Sequence, residues 1–202
     1  MDSKLKKIIK YAVFAFVALI MVSGTIGSYN SMVKYDEASS QSWAQVQNVY
    51  QRRADLIPSL VEIVQGTADF EKSTLTDVIN ARAKATSITI DPSKSNAMDL
   101  QKFQQAQDNL GSTLSRLMIV VEKYPDLKSN QSFLELQSQL EGTENRIAVE
   151  RKKFNESVQS YNQYIRLFPK NILSGMFGFD KKAYFEADYG ANKAPKIKFN
   201  MK

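Results

Sequence analysis

The chain of 202 residues contains neither cysteine nor histidine. Without cysteine it forms no disulfide, thiolate metal site or thiol nucleophile, and without histidine it has no imidazole ligand or imidazole base. Glycine and proline are also scarce, with eight and five residues. Because these two residue types dominate turns, their scarcity favours long helices over a sheet with many turns. The sequence therefore predicts an all-α protein that lacks the most common catalytic and metal-binding chemistry.

The formal net charge of +6 is concentrated at the two ends of the chain. Residues 1–27 carry four lysines against one aspartate, and residues 181–202 carry six lysines against two acidic residues. The intervening residues 28–180 hold 17 basic and 18 acidic residues, a net charge of −1. A nearly neutral body presents no basic face for a phosphate backbone, so we expect no nucleic-acid partner. Basic ends on such a body are typical of a membrane-attached protein.

Residues 11–27 contain no charged residue and follow the basic flank over residues 1–10. At about 1.5 Å per residue, a helix over this run is roughly 26 Å long, slightly shorter than a hydrocarbon core of about 30 Å. Snorkelling of Lys10 can cover the difference. We therefore predict a transmembrane helix over residues 11–28. The alternative is a cleaved signal peptide, because both begin with a charged flank and an apolar run, and Thr25-Ile26-Gly27 fits a small-x-small cleavage site.

The lysines around the span also predict its orientation. Four of them precede the span, whereas Lys34 is the only one within about a dozen residues after it. By the positive-inside rule, the N-terminus then lies in the cytoplasm and the following domain lies outside the cytoplasm. The predicted location is a cytoplasmic membrane that the chain crosses once, and the lipid bilayer is the first expected partner.

After the span, apolar residues recur three and four positions apart, as they do in amphipathic helices. The first such stripe covers residues 29–86 and contains Pro58. Ile57 is biased away from helical geometry by the proline that follows it, and Asp55 can cap a new helix. The pattern therefore predicts a break or a sharp kink over residues 55–58.

Two further helices are predicted from the same periodicity, over residues 97–123 and 129–167. The polar run over 86–96 separates the first of them from the preceding stripe, and Pro125 separates the two helices. Short connections between long amphipathic helices favour antiparallel neighbours. We therefore predict an antiparallel up-and-down four-helix bundle over residues 29–169.

Residues 170–202 differ from the helices in composition, because they contain three glycines, and six lysines occur from position 181 onward. We predict an irregular C-terminal tail that lies near the bilayer, because the fourth helix of an up-and-down bundle returns to the membrane side. Apolar residues followed by lysines are typical of an interfacial segment attracted to anionic head groups. The predicted membrane or partner contacts are Ile172, Leu173, Met176, Phe177, Phe179, Lys181 and Lys182. The alternative is that the apolar cluster folds back and closes the open end of the bundle.

Several sequence blocks follow one another in a fixed order. They are residues 51–61 (QRRADLIPSLV), 124–128 (YPDLK), 133–147 (FLELQSQLEGTENRI), 154–158 (FNESV), Tyr161-Asn162 and residues 168–179 (FPKNILSGMFGF). Together with the anchor they closely resemble the LemA family of bacterial membrane proteins, over about residues 29–186. The resemblance implies an N-terminal membrane helix carrying an up-and-down four-helix bundle, and it implies no settled activity or catalytic residues. Two mild departures are Ser59, where asparagine is usual, and a looser aromatic stretch at residues 67–70.

Charged residues that fall in or beside the apolar stripes predict a structural polar network. Glu144 and Arg151 lie in the stripe of the last helix, so we expect Glu144 to form a buried or half-buried ion pair. Arg53 or Arg52 is the first candidate partner and Arg151 the second. The predicted network consists of Arg52, Arg53, Asp55, Glu144 and Arg151.

The remaining chemistry is limited to carboxylates, hydroxyls and lysines. No spacing of serine, threonine or lysine suggests a nucleophile with its base. Glu141 and Glu144 are one helical turn apart and could join Glu62 or Asp69 in a carboxylate metal site, but bundle di-iron sites also use histidine. We therefore predict no catalytic residue, no metal site and no cofactor.

The functional interpretation is a non-enzymatic interaction or scaffold module that self-associates at the membrane. A single anchor confines the bundle to two dimensions and raises its effective concentration for lateral contacts. Candidate contacts for a homo-oligomer are two secondary stripes, Leu5, Ile8 and Ile9 before the span or Met32 and Tyr35 after it. An unidentified membrane or envelope protein is a further expected partner. The alternative is a carboxylate-based metal-binding or hydrolytic enzyme built in the bundle.

Overall fold

The computed structural model describes residues 3–67, 70–91 and 96–186. Within these ranges every regular element is helical, which confirms the all-α prediction. The helices are α1 (Ser3–Gln65), α2 (Lys72–Ser87), α3 (Ala97–Val121), α4 (Pro125–Lys128), α5 (Gln131–Arg166) and α6 (Lys170–Phe177). Helices α3 and α5 begin and end within two residues of their predicted bounds.

Helix α1 continues through Pro58, so of the predicted break or sharp kink over 55–58 the break is wrong. A proline inside a helix has no N–H to donate to the carbonyl four residues earlier, which here belongs to Ala54. The Nε of Arg82, on α2, donates to that carbonyl at 2.8 Å. A side chain from the neighbouring helix thus replaces the missing backbone donor, and α1 ends only at Gln65.

The N-terminal part of α1 is the one described segment that is long and apolar enough to cross a membrane. None of the residues in its most apolar stretch is buried against the rest of the protein. Phe14 and Leu19, for example, are 75% and 66% exposed. The predicted boundaries between flank, span and bundle, at residues 10 and 28, fall inside this uninterrupted helix.

Two helix pairs run antiparallel. Along α1 and α5 the contacts join Arg53 to Glu144, Trp43 to Phe154 and Tyr35 to Tyr164. Residue numbers fall on α1 as they rise on α5, so α5 returns along α1. In the second pair, the Gln107 amide on α3 donates to the Ala85 carbonyl on α2, and the ring of Phe70 before α2 contacts that of Tyr124 after α3.

The buried apolar side chains form three clusters at successive levels of α1. The first cluster draws on α1, α2, α3 and α5 and includes Leu60, Val64, Val78, Leu117 and Leu140. The second surrounds Trp43 with Phe103 and Phe154, and the third joins Met32 to Tyr161 and Ile165. Burial of each large side chain is worth about 1.5–3 kcal/mol, so these clusters provide most of the stabilisation of the fold.

Asparagine side chains determine where the two C-terminal long helices begin. The side chain of Asn96 accepts a hydrogen bond from the Asp99 amide, and the Asp99 carboxylate lies within 3.5 Å of the Asn96 amide, which completes a capping box. The side chain of Asn130 likewise accepts from the Phe133 amide at 3.1 Å. Such caps satisfy amides that have no partner inside the helix.

The predicted irregular tail over residues 170–202 is wrong for its first part, because residues 170–177 form α6. Helix α6 ends at Gly178, whose φ of +74° is a left-handed conformation that glycine adopts without steric cost. Residues 179–186 then follow without regular structure. The tail lysines Lys193, Lys196, Lys198 and Lys202 lie outside the described residues.

Candidate functional site

A polar cavity of about 490 Å³ opens between α3 and α5. Arg53, from α1, lies among its lining residues, which otherwise come from α3, from α5 and from Glu186. Apart from Asp108, the α3 wall carries glutamines and small residues, namely Gln101, Gln104, Gln105, Gln107, Gly111, Ser112 and Ser115. The cavity is therefore a hydrogen-bonding groove, and among the described residues its titratable side chains are those of Arg53, Asp108, Glu144 and Glu186.

Arg53 is the central residue of this groove, and its side chain is only 3% exposed. Its guanidinium donates to Glu144 Oε2 at 2.8 Å and to two oxygens of Gln107, the backbone carbonyl at 3.0 Å and the side-chain Oε1 at 2.7 Å. It also lies 5.2 Å from the ring centre of Tyr50. These charge-assisted bonds offset much of the cost of burying the cation.

Glu144, in contrast, is largely in solvent, with a side chain that is 59% exposed. The prediction that it lies in the buried stripe of the last helix is therefore wrong. The buried positions at this level of α5 are Thr143 and Ile147, which are four residues apart and share one face. Glu144 lies at the edge of that face and reaches inward to Arg53 only with its carboxylate.

The other three residues of the predicted network do not join this pair. Arg52 and Asp55 are exposed on α1, where Asp55 accepts a hydrogen bond from the Gln51 amide at 2.7 Å. Arg151 lies 3.8 Å from the Asp108 carboxylate. The five predicted residues thus form one direct ion pair and separate local contacts.

The carboxylates considered for a metal site are not brought together. Glu62 is exposed on α1, and Glu141 accepts a hydrogen bond from Gln137 at 3.0 Å on the surface of α5. Asp69 lies outside the described residues. Within the described ranges, no group of three or more acidic side chains is arranged to hold a metal ion.

Residues 179–186, which we call the strap, lie against α5 in a way that sequence reasoning missed. The side-chain amide of Asn162 donates to the Lys182 carbonyl at 2.8 Å, and its carbonyl accepts from the Lys182 amide at 2.9 Å. Asn155 makes the same pair of bonds with Phe185, at 3.0 and 2.9 Å. Because the two asparagines are seven residues apart, they share one face of α5 and hold the strap as a neighbouring strand would.

Further side chains fix both ends of the strap. The Tyr161 hydroxyl donates to the Asp180 carbonyl at 2.9 Å. At the other end, Gln104 of α3 and Arg151 of α5 both donate to the Glu186 carbonyl. Two asparagines on one face of an otherwise apolar stripe were the signal in the sequence, because a buried amide requires partners.

The strap overturns the predicted role of Lys182 as a membrane or partner contact. Its side chain is only 6% exposed, and its Nζ lies 2.9 Å from the Asp36 carboxylate. Three residues further on, Phe185 is buried against the rings of Trp43 and Phe154. Burial, together with the negative charges of Asp36 and Asp180, raises the pKa of Tyr161 to about 12.

The other predicted contact residues divide into an inner and an outer set. Leu173 and Phe179 are half-buried against the third apolar cluster, so they help to close this end of the protein. Ile172, Met176, Phe177 and Lys181 are exposed. Sequence reasoning missed Phe168, which is 82% exposed in the turn before α6.

Of the two stripes proposed for self-association, the one after the span is partly corrected, whereas Ile8 and Ile9 before the span are exposed. Met32 is fully buried in the third cluster. Tyr35 is partly buried, and its ring centre lies 4.9 Å from that of Tyr164. Met32 therefore has no surface to offer a second copy, and Tyr35 offers only part of its ring.

These features define an all-helical protein with one long apolar N-terminal helix and a C-terminal segment bound along its last long helix. A family model described as the LemA family matches residues 42–199, and the chain belongs to this family. The resemblance inferred from the sequence blocks is thereby confirmed.

Two kinds of relative are similar to the chain. Magnetosome protein MamQ 2 of Paramagnetospirillum magneticum is 26% identical over 193 residues, which cover 87% of this chain and 69% of the relative. Magnetosome protein MamQ of Magnetospirillum gryphiswaldense is 26% identical over 78% of this chain and 64% of its own length. Protein LemA of Metamycoplasma hominis is 23% identical over 92% of this chain and 85% of its own length.

Proposed function

We propose that the chain is a single-pass membrane protein in which α1 is both the anchor and the first helix of an antiparallel up-and-down four-helix bundle. The bundle consists of the C-terminal part of α1 together with α2, α3 and α5. The observation that carries this proposal is the change in burial along α1. From residue 11 to residue 22 its side chains are apolar and, apart from the partly buried Ala18, exposed, and they contribute to the core from Met32 onward.

The distribution of charge along α1 supports the same division of this helix into an anchor and a bundle helix. No charged residue occurs between Lys10 and Lys34, and a helix over those 23 residues is about 34 Å long. That length spans a hydrocarbon core of about 30 Å. The excess of lysine before the span supports an N-terminus in the cytoplasm of a bacterial cell and a bundle outside it, at the inner membrane.

The bundle acts in this proposal as a non-enzymatic interaction module that self-associates and binds a further membrane or envelope protein. Its polar groups support this role, because Arg53 and the two strap asparagines are engaged in holding helices and strap together. The names of the relatives, magnetosome proteins and LemA, describe no enzymatic activity.

The anchor is tested by expressing the full chain and extracting membranes with alkaline carbonate. We expect the protein in the pellet, with an N-terminal sequence that begins at the chain start. A double variant with Phe16→Lys and Leu19→Lys in the span should move to the supernatant. A soluble wild-type product that begins near residue 28 would instead identify residues 1–27 as a signal peptide.

Orientation and self-association need separate measurements. External protease should degrade the bundle in spheroplasts, and protection there would reverse the orientation. Light scattering in mild detergent at micromolar concentration should give a mass above that of one chain. A monomer under these conditions would contradict self-association.

A further inference from the structure

Helix α6 presents an apolar outer face that no described residue covers. Ile172 and Met176 are four residues apart, so they lie on one face, and they are 55% and 72% exposed. Phe168, in the preceding turn, adds an 82% exposed ring. A group of exposed apolar side chains on a protein surface marks a site that contacts another protein or a membrane.

The inner face of α6 is firmly held, so the outer face has a fixed direction. Leu173 packs against the third apolar cluster. The Ser174 hydroxyl is buried and lies 3.2 Å from the Ile165 carbonyl of α5. The exposed residues are therefore displayed by a helix docked on the bundle, and they do not belong to a detached segment.

The position of α6 identifies what covers this face. The ring of Tyr29 on α1 lies 5.1 Å from that of Phe177 and 5.7 Å from that of Phe179. Tyr29 is the first residue after the predicted span 11–28, about 1.5 Å further along the helix axis. Tyrosine at the end of a span is typical of the layer between hydrocarbon and head groups, so α6 lies at the level of that layer.

Charges around α6 fit a lipid surface. Arg166 precedes α6 in the sequence and Lys181 follows it, and both are exposed. Lys170, in the first turn of α6, lies 3.8 Å from the ring centre of Tyr164. Asp180 is the nearest acidic residue in sequence, which leaves an excess of positive charge over 166–181. Basic residues beside an apolar face favour anionic head groups.

We propose that α6 and the preceding turn form a second membrane contact, in which Phe168, Ile172 and Met176 insert into the interfacial layer of an anionic bilayer. This inference rests on the proposed anchor. The contact fixes the bundle at a second point, so the bundle cannot tilt freely about the end of the span.

The absence of cysteine allows a direct test in the full-length protein. Single cysteines are introduced by Met176→Cys, by Leu19→Cys in the span and by Ile119→Cys on the exposed surface near the end of α3. Each is labelled with an environment-sensitive fluorophore, and the protein is reconstituted in phosphatidylcholine–phosphatidylglycerol vesicles that contain brominated lipid. Circular dichroism and melting temperature confirm that each labelled protein is folded, and Ile172→Cys replaces Met176→Cys if the latter is not.

Brominated lipid should quench the label at positions 19 and 176 at least twofold and leave position 119 unchanged. Replacing phosphatidylglycerol with phosphatidylcholine should weaken quenching at position 176 and not at position 19. Quenching at 19 without quenching at 176 would overturn the α6 contact and leave the anchor intact. Absence of quenching at position 19 would overturn the anchor, and with it the contact that rests on it.

Discussion

Arg82 donates its Nε hydrogen to the carbonyl oxygen of Ala54, the acceptor that Pro58 leaves without a helical partner. The bond joins α2 to α1 at the one point where the backbone of α1 lacks a donor. Since an unsatisfied buried carbonyl costs about 1–3 kcal/mol, this contact explains how a proline is accommodated in the middle of the core.

A double-mutant cycle tests this relationship. Arg82→Ala should lower the free energy of unfolding by about 1–3 kcal/mol in the wild-type background. In a Pro58→Ala background the restored amide supplies the donor, so the same change should cost about 1 kcal/mol less. Lys84→Ala, at an exposed position on α2, is the matched control. Additive effects of the two changes would show that Arg82 does not compensate for Pro58.

The Arg53–Glu144 pair should respond asymmetrically to truncation. Arg53→Ala removes a buried side chain and three hydrogen bonds, and we expect a loss of about 3–5 kcal/mol. Glu144→Ala should cost about 1 kcal/mol or less, because solvent in the groove can replace an exposed carboxylate. Thermal or urea unfolding in detergent measures the loss of stability in each variant. Equal losses would mean that Glu144 is buried in solution.

The sequence predicted those parts of the fold that depend on local periodicity. Helices α3 and α5 follow from stripes of apolar residues three and four apart, and the polar runs before them contain the capping residues Asn96 and Asn130. Pro58 was misjudged because its effect depends on Arg82, which lies 24 residues further along the chain. Periodicity carries no information about such a partner.

The site was predicted less completely for a related reason. Glu144 was assigned to the buried face because its spacing fits the stripe, although its neighbour Thr143 fits equally well and is the one buried. Lys182 was read as part of a basic surface, whereas its ion pair with Asp36 depends on how the tail returns along α5. Composition predicts a tail near the membrane but does not determine which of its side chains turn inward.

Tyr50 predicts a specific change in stability at alkaline pH. Its hydroxyl is buried without a hydrogen-bond partner among the described residues, and burial raises its pKa from 10.0 to about 12. The fold therefore favours the neutral form, and the resulting contribution to stability is complete below pH 10 and lost as the pH rises towards 12.

Tyr50→Phe should remove this dependence and preserve the packing of the ring. At pH 7 the variant should be as stable as the wild type or more stable by about 1 kcal/mol, since an unpaired buried hydroxyl is lost. Between pH 10 and 12 it should lose less stability than the wild type. Tyr184→Phe, at an exposed position, serves as the control, and parallel stability curves for all three proteins would contradict the assignment.

Asn162 should control whether the strap stays on α5. Asn162→Ala removes both side-chain bonds to the backbone of Lys182. At about 1 kcal/mol for each bond, we expect a loss of roughly 2 kcal/mol and release of the strap.

The single tryptophan reports this release, because the ring of Phe185 stacks on Trp43 with 5.8 Å between the ring centres. Its emission should shift to longer wavelength, and trypsin should cut sooner after Lys182. Asn171→Ala, on the exposed surface of α6, should change neither signal. If the Asn162 variant keeps the wild-type emission, melting temperature and cleavage rate, the strap does not depend on this amide in solution.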